Sequence, residues 1–132
     1  MTPLPVETLR SAALAVRTHA HAPYSKFQVG AAVLTSGGEI FAGCNVENAS
    51  YGLTICAERV AVGAAVAAGH KQIVAVAVVS SGGHSPCGAC RQVLSEFGPA
   101  MEVILIDADD PTKTRTTTLA ALLPEQFSSG AL

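Results

Sequence analysis

Cys87 and Cys90 stand three residues apart behind a Ser85-Pro86 pair, and Cys56 stands two residues before Glu58. Both stretches read as helix starts, where free N–H groups and the positive end of the helix dipole favour thiolates. Spaced three apart in a first turn, Cys87 and Cys90 turn toward one point just beyond the helix. A zinc ion takes three or four ligands with Zn–S near ~2.3 Å, so that pair alone is an incomplete site. Cys56 is the best third ligand, because it brings a second helix start to the same place. Glu58 leans back toward its own helix start and offers a carboxylate to the open side of the ion, as a proton carrier rather than a ligand. Three thiolates donate so much charge that zinc-bound water is acidified less than by three neutral histidines, which bring its pKa to about 7. The helix dipoles offset this, together with a hydrogen bond to a thiolate from Arg59 or Arg91.

Other chemistry fits some of the same residues. Cys-x-x-Cys is also a redox dithiol motif, a reading that leaves Cys56 and Glu58 without a role. Cys44 would complete a closed four-cysteine structural zinc site, although it lies at a strand end and not in a second paired motif. All four cysteines as plain buried thiols is a further alternative. His84 precedes Cys87 by three residues, but a glycine loop favours an exposed histidine there. His19, His21 and His70 follow no pattern.

The elements that must position these residues are legible in the apolar spacing. Leu9, Ala13, Val16 and Ala20 predict an amphipathic helix over Val6 to Ala20. Phe27 to Leu34 and Glu39 to Cys44, joined through Ser36-Gly37-Gly38, predict a β-hairpin. Thr54 is placed to cap an alanine-rich helix reaching Ala68, with Gly69 as its stop. Gln72 to Val79 is apolar almost throughout, as in a strand covered on both faces. Ser85 as cap and Pro86 at the first helical position open the next helix, which ends at Phe97 before Gly98 and Pro99. Glu102 to Ile106 is a buried strand, Lys113 to Thr118 an edge strand, and Leu119 to Leu123 a short helix. The order α-β-β-α-β-α-β-β-α predicts an α/β class, a three-layer α-β-α sandwich around a mixed, about five-stranded sheet.

Composition narrows the function classes. The 132 residues are 49% hydrophobic and 14% charged, which excludes a disordered or low-complexity chain and suits a single domain over residues 1–132. A net charge of −2 with a pI near 6.0 gives no basic face for phosphate backbones, so no nucleic-acid partner is expected. No apolar run nears the ~20 residues that span a bilayer, and Met1-Thr2-Pro3-Leu4-Pro5 lacks the basic and apolar regions of a secretion signal. A cytoplasmic protein with no membrane partner is expected, with free or metal-bound cysteines. A mean hydropathy of +0.40 with so few charges predicts burial between subunits in a homo-oligomer.

Cys56-Ala57-Glu58-Arg59, followed by Pro86-Cys87-Gly88-Ala89-Cys90-Arg91-Gln92-Val93, resembles the small homotetrameric cytidine deaminases. Three further stretches narrow the likeness: Pro23-Tyr24-Ser25-Lys26-Phe27-Gln28-Val29-Gly30-Ala31, Gly43-Cys44-Asn45-Val46-Glu47-Asn48-Ala49-Ser50-Tyr51 and Leu122-Leu123-Pro124-Glu125-Gln126-Phe127. Together they span nearly the whole chain in the expected order. The Ser80 to Ser85 loop departs from the family by being shorter than usual. The resemblance implies one zinc per subunit on Cys56, Cys87 and Cys90, proton transfer by Glu58 and charge compensation of the thiolates by Arg59. It also implies that Asn45 and Glu47 hold the ribose hydroxyls and that Phe27 packs on the pyrimidine. Ala49, Tyr51 and Phe127 would help close a neighbouring subunit's site within a homotetramer. The implied reaction is hydrolytic deamination of cytidine and 2′-deoxycytidine. Its rivals are deamination of a nucleoside-like antibiotic such as blasticidin S and, in another class, a non-catalytic structural-zinc module.

Overall fold

The computed structural model describes residues 3–131. Met1, Thr2 and Leu132 lie outside them, and with Met1 and Thr2 part of the amino-terminal stretch read above. The elements run α1 (Val6–Arg17), β1 (Gly30–Thr35), β2 (Ile40–Cys44), a 3₁₀ turn at Tyr51–Leu53, α2 (Ala57–Ala67), β3 (Ile73–Ser80), α3 (Gly88–Phe97), β4 (Glu102–Asp107), β5 (Asp110–Thr118) and α4 (Leu119–Leu122). One sheet of order β2-β1-β3-β4-β5 carries the architecture. β3 and β4 are parallel and every other pairing is antiparallel, so the expected mixed five-stranded sheet is borne out.

Alternation along the central strands builds two cores. Ala31, Val33, Val76, Val78, Val103 and Leu105 face α2 and α3. Ala32, Leu34, Ala77, Val79, Ile104 and Ile106 face Leu9 and Ala13 of α1 on the other side. This is the predicted three-layer arrangement. α2 lies close to the hairpin because its inner face is small, with Ala57, Ala61, Val62 and Ala65 buried. Gly43 on β2 permits the approach, since a Cβ there would come within 2.4 Å of the Ala61 backbone nitrogen. That contact sets the position of the start of α2, and with it Cys56 and Glu58.

Several predicted boundaries move. α1 ends at Arg17 rather than Ala20, because His19 and Ala20 donate to Val16 and Arg17 in a tightened last turn. Thr54 does not cap α2; it closes the Tyr51–Leu53 turn by donating its N–H to the Tyr51 carbonyl, and Cys56 takes the cap position. Cys87 likewise replaces Ser85 as the cap of α3, which leaves Pro86 outside the helix. Phe27 precedes β1 instead of opening it. β5 begins at Asp110, not Lys113, and tolerates Pro111 because it is an edge strand. Among the described residues, no helix is long and apolar enough to cross a membrane.

Candidate metal centre and active site

The two cap positions are what bring the sulfurs together. Cys56 and Cys87 both have extended backbone, with φ −70° and ψ 153° at the first and φ −66° and ψ 170° at the second. Neither sulfur accepts a capping hydrogen bond from a backbone N–H of its own helix. Each sulfur is therefore free, beside the unpaired N–H groups of a first turn. Cys90 follows in the first turn of α3 and is fully buried. The Sγ atoms of Cys56, Cys87 and Cys90 lie within 4.8 Å of one another, and Cys56 and Cys87 are 3.9 Å apart. Tetrahedral ligation at the usual Zn–S length needs sulfurs roughly 3.8 Å apart, so the trio fits zinc with little adjustment. Among the described residues neither Cys44 nor His84 joins this group. None of the four cysteines is in a disulfide.

Electrostatics distinguish the three. Hydrogen bonds from the Cys90 thiol, the Arg59 guanidinium and the Cys87 thiol draw Cys56 down to about 5 against the opposing effect of burial. Cys90 is pushed well up by donating to Cys56, by burial and by the Glu58 charge. Arg59 donates through Nη2 to Cys56 Sγ at 3.4 Å. Arg91, the other arginine considered as a thiolate partner, instead donates to the Pro86 carbonyl at 2.8 Å, the Leu122 carbonyl at 2.8 Å and Ser85 Oγ at 2.9 Å. It ties the loop carrying Cys87 to the end of α4.

Glu58 is 5% exposed and faces a cavity of about 210 Å³ that also reaches Cys56, Cys87, Phe27, Asn45 and His84. Burial, reinforced by the Cys56 thiolate, pushes its carboxyl up to about 7. A group poised there both takes and gives a proton near neutrality. The cavity opens at the carboxyl end of β3, where Val78 and Ser80 line it. That end of a central parallel strand is the usual place for a site in an open α/β sheet.

The predicted substrate residues divide into two groups. Asn45, 7% exposed, accepts from Val29 N at 2.9 Å and donates to the Phe27 carbonyl at 2.8 Å. Its amide therefore holds the segment that carries Phe27. Glu47 is half-buried and already surrounded by donors. Its carboxylate accepts from Tyr24 N at 3.0 Å, Ser25 N at 3.2 Å and the Ser25 hydroxyl, and the last of these most strongly lowers its pKa. Ser25 Oγ in turn accepts from Phe27 N at 3.0 Å, and Lys26 takes the left-handed conformation at φ 62°. Asn45 and Glu47 thus aim the Phe27 arm from both sides.

Glu47 lines a second cavity of about 330 Å³ with Tyr24, Ser25 and Tyr51, and Thr54 borders both cavities. Ala49 is exposed and borders neither. Phe127 is 62% exposed and lies outside both, its carbonyl accepting from Gln92 Nε2 at 3.1 Å. Val29, Thr54, Ser80 and His84 are cavity residues that spacing did not single out as such. For Ser80 and His84 the available signal was their place in a loop leaving the central strand.

The comparisons with known proteins agree with this geometry. Residues 5–106 match the family model for the cytidine and deoxycytidylate deaminase zinc-binding region. The chain is 47% identical over 126 residues to a cytidine deaminase of Sporosarcina psychrophila, covering 93% of this chain and 91% of that one. It is 49% identical to the cytidine deaminase of Burkholderia pseudomallei, whose crystal structure matches with a TM-score of 0.88 over 94% of this chain and 100% of that one. The Mycobacterium tuberculosis cytidine deaminase structure, at 41% identity, matches with a TM-score of 0.82 over 96% and 99%. Shared sequence over most of its length, a shared three-layer fold and a zinc-competent trio of sulfurs all lead to one assignment: the chain belongs to the cytidine and deoxycytidylate deaminase family.

Proposed function

We propose that this chain catalyses the hydrolytic deamination of cytidine and 2′-deoxycytidine to uridine and 2′-deoxyuridine, with water consumed and ammonia released. The observation that carries the reading is a cluster of three sulfurs, two of which line one small cavity together with a buried carboxyl. Cys56, Cys87 and Cys90 would hold one zinc ion per subunit, which would supply Lewis acidity for activating water. Glu58 is the proton carrier. It takes a proton from the attacking water and delivers it to ring N3, then takes the remaining proton of the hydroxyl added at C4 and passes it to the amino group, which leaves as ammonia while C4 becomes a carbonyl. Arg59 withdraws charge from the Cys56 thiolate, so the three sulfurs would quench less of the Lewis acidity of an ion they hold.

The two adjoining cavities suit the two halves of a nucleoside. At about 210 Å³ the first is smaller than the ~300–1,000 Å³ typical of whole ligands, so it takes the base, against Phe27. The second, with the Glu47 carboxylate on its wall, takes the sugar, whose hydroxyls donate to Glu47 while Asn45 holds the wall between. Tyr51 and Leu53 of the 3₁₀ turn are 72% and 65% exposed and Phe127 is 62% exposed, a cost that subunit contact would remove. We read the protein as a single-domain, cytoplasmic homotetramer in which Ala49, Tyr51 and Phe127 complete a neighbour's site. The test is ultraviolet monitoring of the purified protein with cytidine, deoxycytidine, adenosine and blasticidin S, alongside zinc analysis. Turnover of the first two with one zinc per chain is expected. Selective turnover of blasticidin S, or a metal closed by a fourth protein ligand, would reject the proposal.

A further inference from the structure

The loop between β3 and α3 delivers to the base cavity a side chain that the proposed chemistry leaves unused, His84. Its imidazole stands 6.1 Å from the Phe27 ring, centroid to centroid, with the planes tilted by 53°. A base sandwiched between two rings needs twice the ~3.5 Å contact distance, about 7 Å, with the planes parallel. The two rings are too close and too tilted for that, so they form an aromatic pair in direct contact.

The loop is built to hold this pair. Ser80, the last residue of β3 and 1% exposed, accepts from His84 N at 3.0 Å through Oγ and from Gly83 N at 3.0 Å through its carbonyl. Asp107, at the end of the parallel neighbour β4, accepts from Gly82 N at 2.9 Å. Gly82 and Gly83 take left-handed φ values of 90° and 67°, which favour glycine. A Cβ on Gly82 would come within 2.9 Å of His84 Nε2, so the absent side chain leaves the space in which the imidazole lies. On the other side, Asn45 and Ser25 hold the Phe27 arm. Both partners of the pair are thus pinned to the sheet by independent hydrogen bonds.

We propose that His84 is a positioning residue for the pyrimidine. By packing on Phe27 it braces that ring and closes the cavity over the base, which sets affinity and leaves the proton transfers to Glu58. This rests on the nucleoside reading above and adds to it the residue that determines closure. His84→Ala is expected to raise KM for cytidine about three- to ten-fold, the range for losing one aromatic pair, with a much smaller change in kcat. Uridine, the product, should bind more weakly by the same factor. His84→Phe keeps an aromatic face on Phe27 and should restore both constants, whereas a part played by the imidazole nitrogens would leave it as impaired as the alanine variant. Zinc content and the unfolding transition are followed in each variant.

An unchanged KM in His84→Ala, a loss confined to kcat, or failure of His84→Phe to recover would overturn the proposal. Uridine binding by calorimetry separates the two levels of inference. A wild-type protein that binds uridine without deaminating cytidine would sink the catalytic reading and still report on closure through the two variants.

Discussion

Replacing Glu58 with glutamine tests the environment on which the proton-carrier role depends, because it keeps the shape and removes the titration. In the metal-free protein the Glu58 carboxyl is raised from its ordinary 4.5 to about 7, chiefly by burial. The folded state therefore holds a proton that the unfolded chain has released. Stability falls as pH rises through that window and levels off above about 7. At ~1.36 kcal/mol for each pH unit, the difference between the two values amounts to about 3 kcal/mol. Cys56, Cys90 and Arg59 face the same carboxyl, and Cys56 titrates at the lower edge of the window. Those groups are present in both proteins, so the difference between wild type and Glu58→Gln isolates the carboxyl to first order. Urea denaturation of both metal-free proteins at equal concentration, from pH 4 to pH 8, should show the variant gaining about 3 kcal/mol on the wild type as pH rises. A difference curve flat across that range would refute the claim that burial sets this pKa. With zinc restored, the variant should keep its metal and lose about 10²- to 10⁴-fold in kcat, the range for a general acid–base group.

Three other perturbations probe the remaining parts of the site. Cys56→Ala should reduce zinc from one per chain to well below that in elemental analysis, and full occupancy would remove Cys56 from the ligand set. Phe127→Ala should raise KM for cytidine several-fold while leaving the unfolding midpoint almost unmoved, since the ring is exposed within its own chain; identical kinetics would confine the tail to a structural role. Arg91→Ala strips three hydrogen bonds from the Cys87 loop and α4, and at ~1 kcal/mol each should cost about 3 kcal/mol in urea unfolding and speed zinc loss to a chelator. Arg91→Lys should recover little of this, because an ammonium cannot span the three acceptors as the planar fork does.

The layers of the fold were legible because their signals are local. The unbroken apolar run of β3 announced a strand covered on both faces, and the spacing of Leu9 and Ala13 announced a helix lying against a sheet. Boundaries were less legible. Thr54 and Ser85 are good cap residues by type, yet the caps fall on Cys56 and Cys87. A hydroxyl competes for that position by bonding N–H groups of the first turn, whereas here those groups are left facing sulfurs that a metal can gather. The preference of the residue type yielded to the needs of the site.

Residue types and spacing by themselves pointed to the candidate groups, three sulfurs as ligands and one carboxylate as proton carrier on two helix starts, because ligand chemistry belongs to side chains and the first turn of a helix orients them. Tertiary structure decided everything that depends on two distant segments meeting. The packing of α2 on Gly43 sets where Glu58 lies and therefore how far its proton affinity rises. Arg59, not Arg91, reaches a thiolate because the latter's fork is engaged by Leu122, 31 residues further along the chain. His84 is exposed, as its glycine loop suggests, but its position against Phe27 depends on the anchoring of that loop by Ser80 and Asp107. Burial and through-space contact create these properties, and a one-dimensional pattern carries no measure of either.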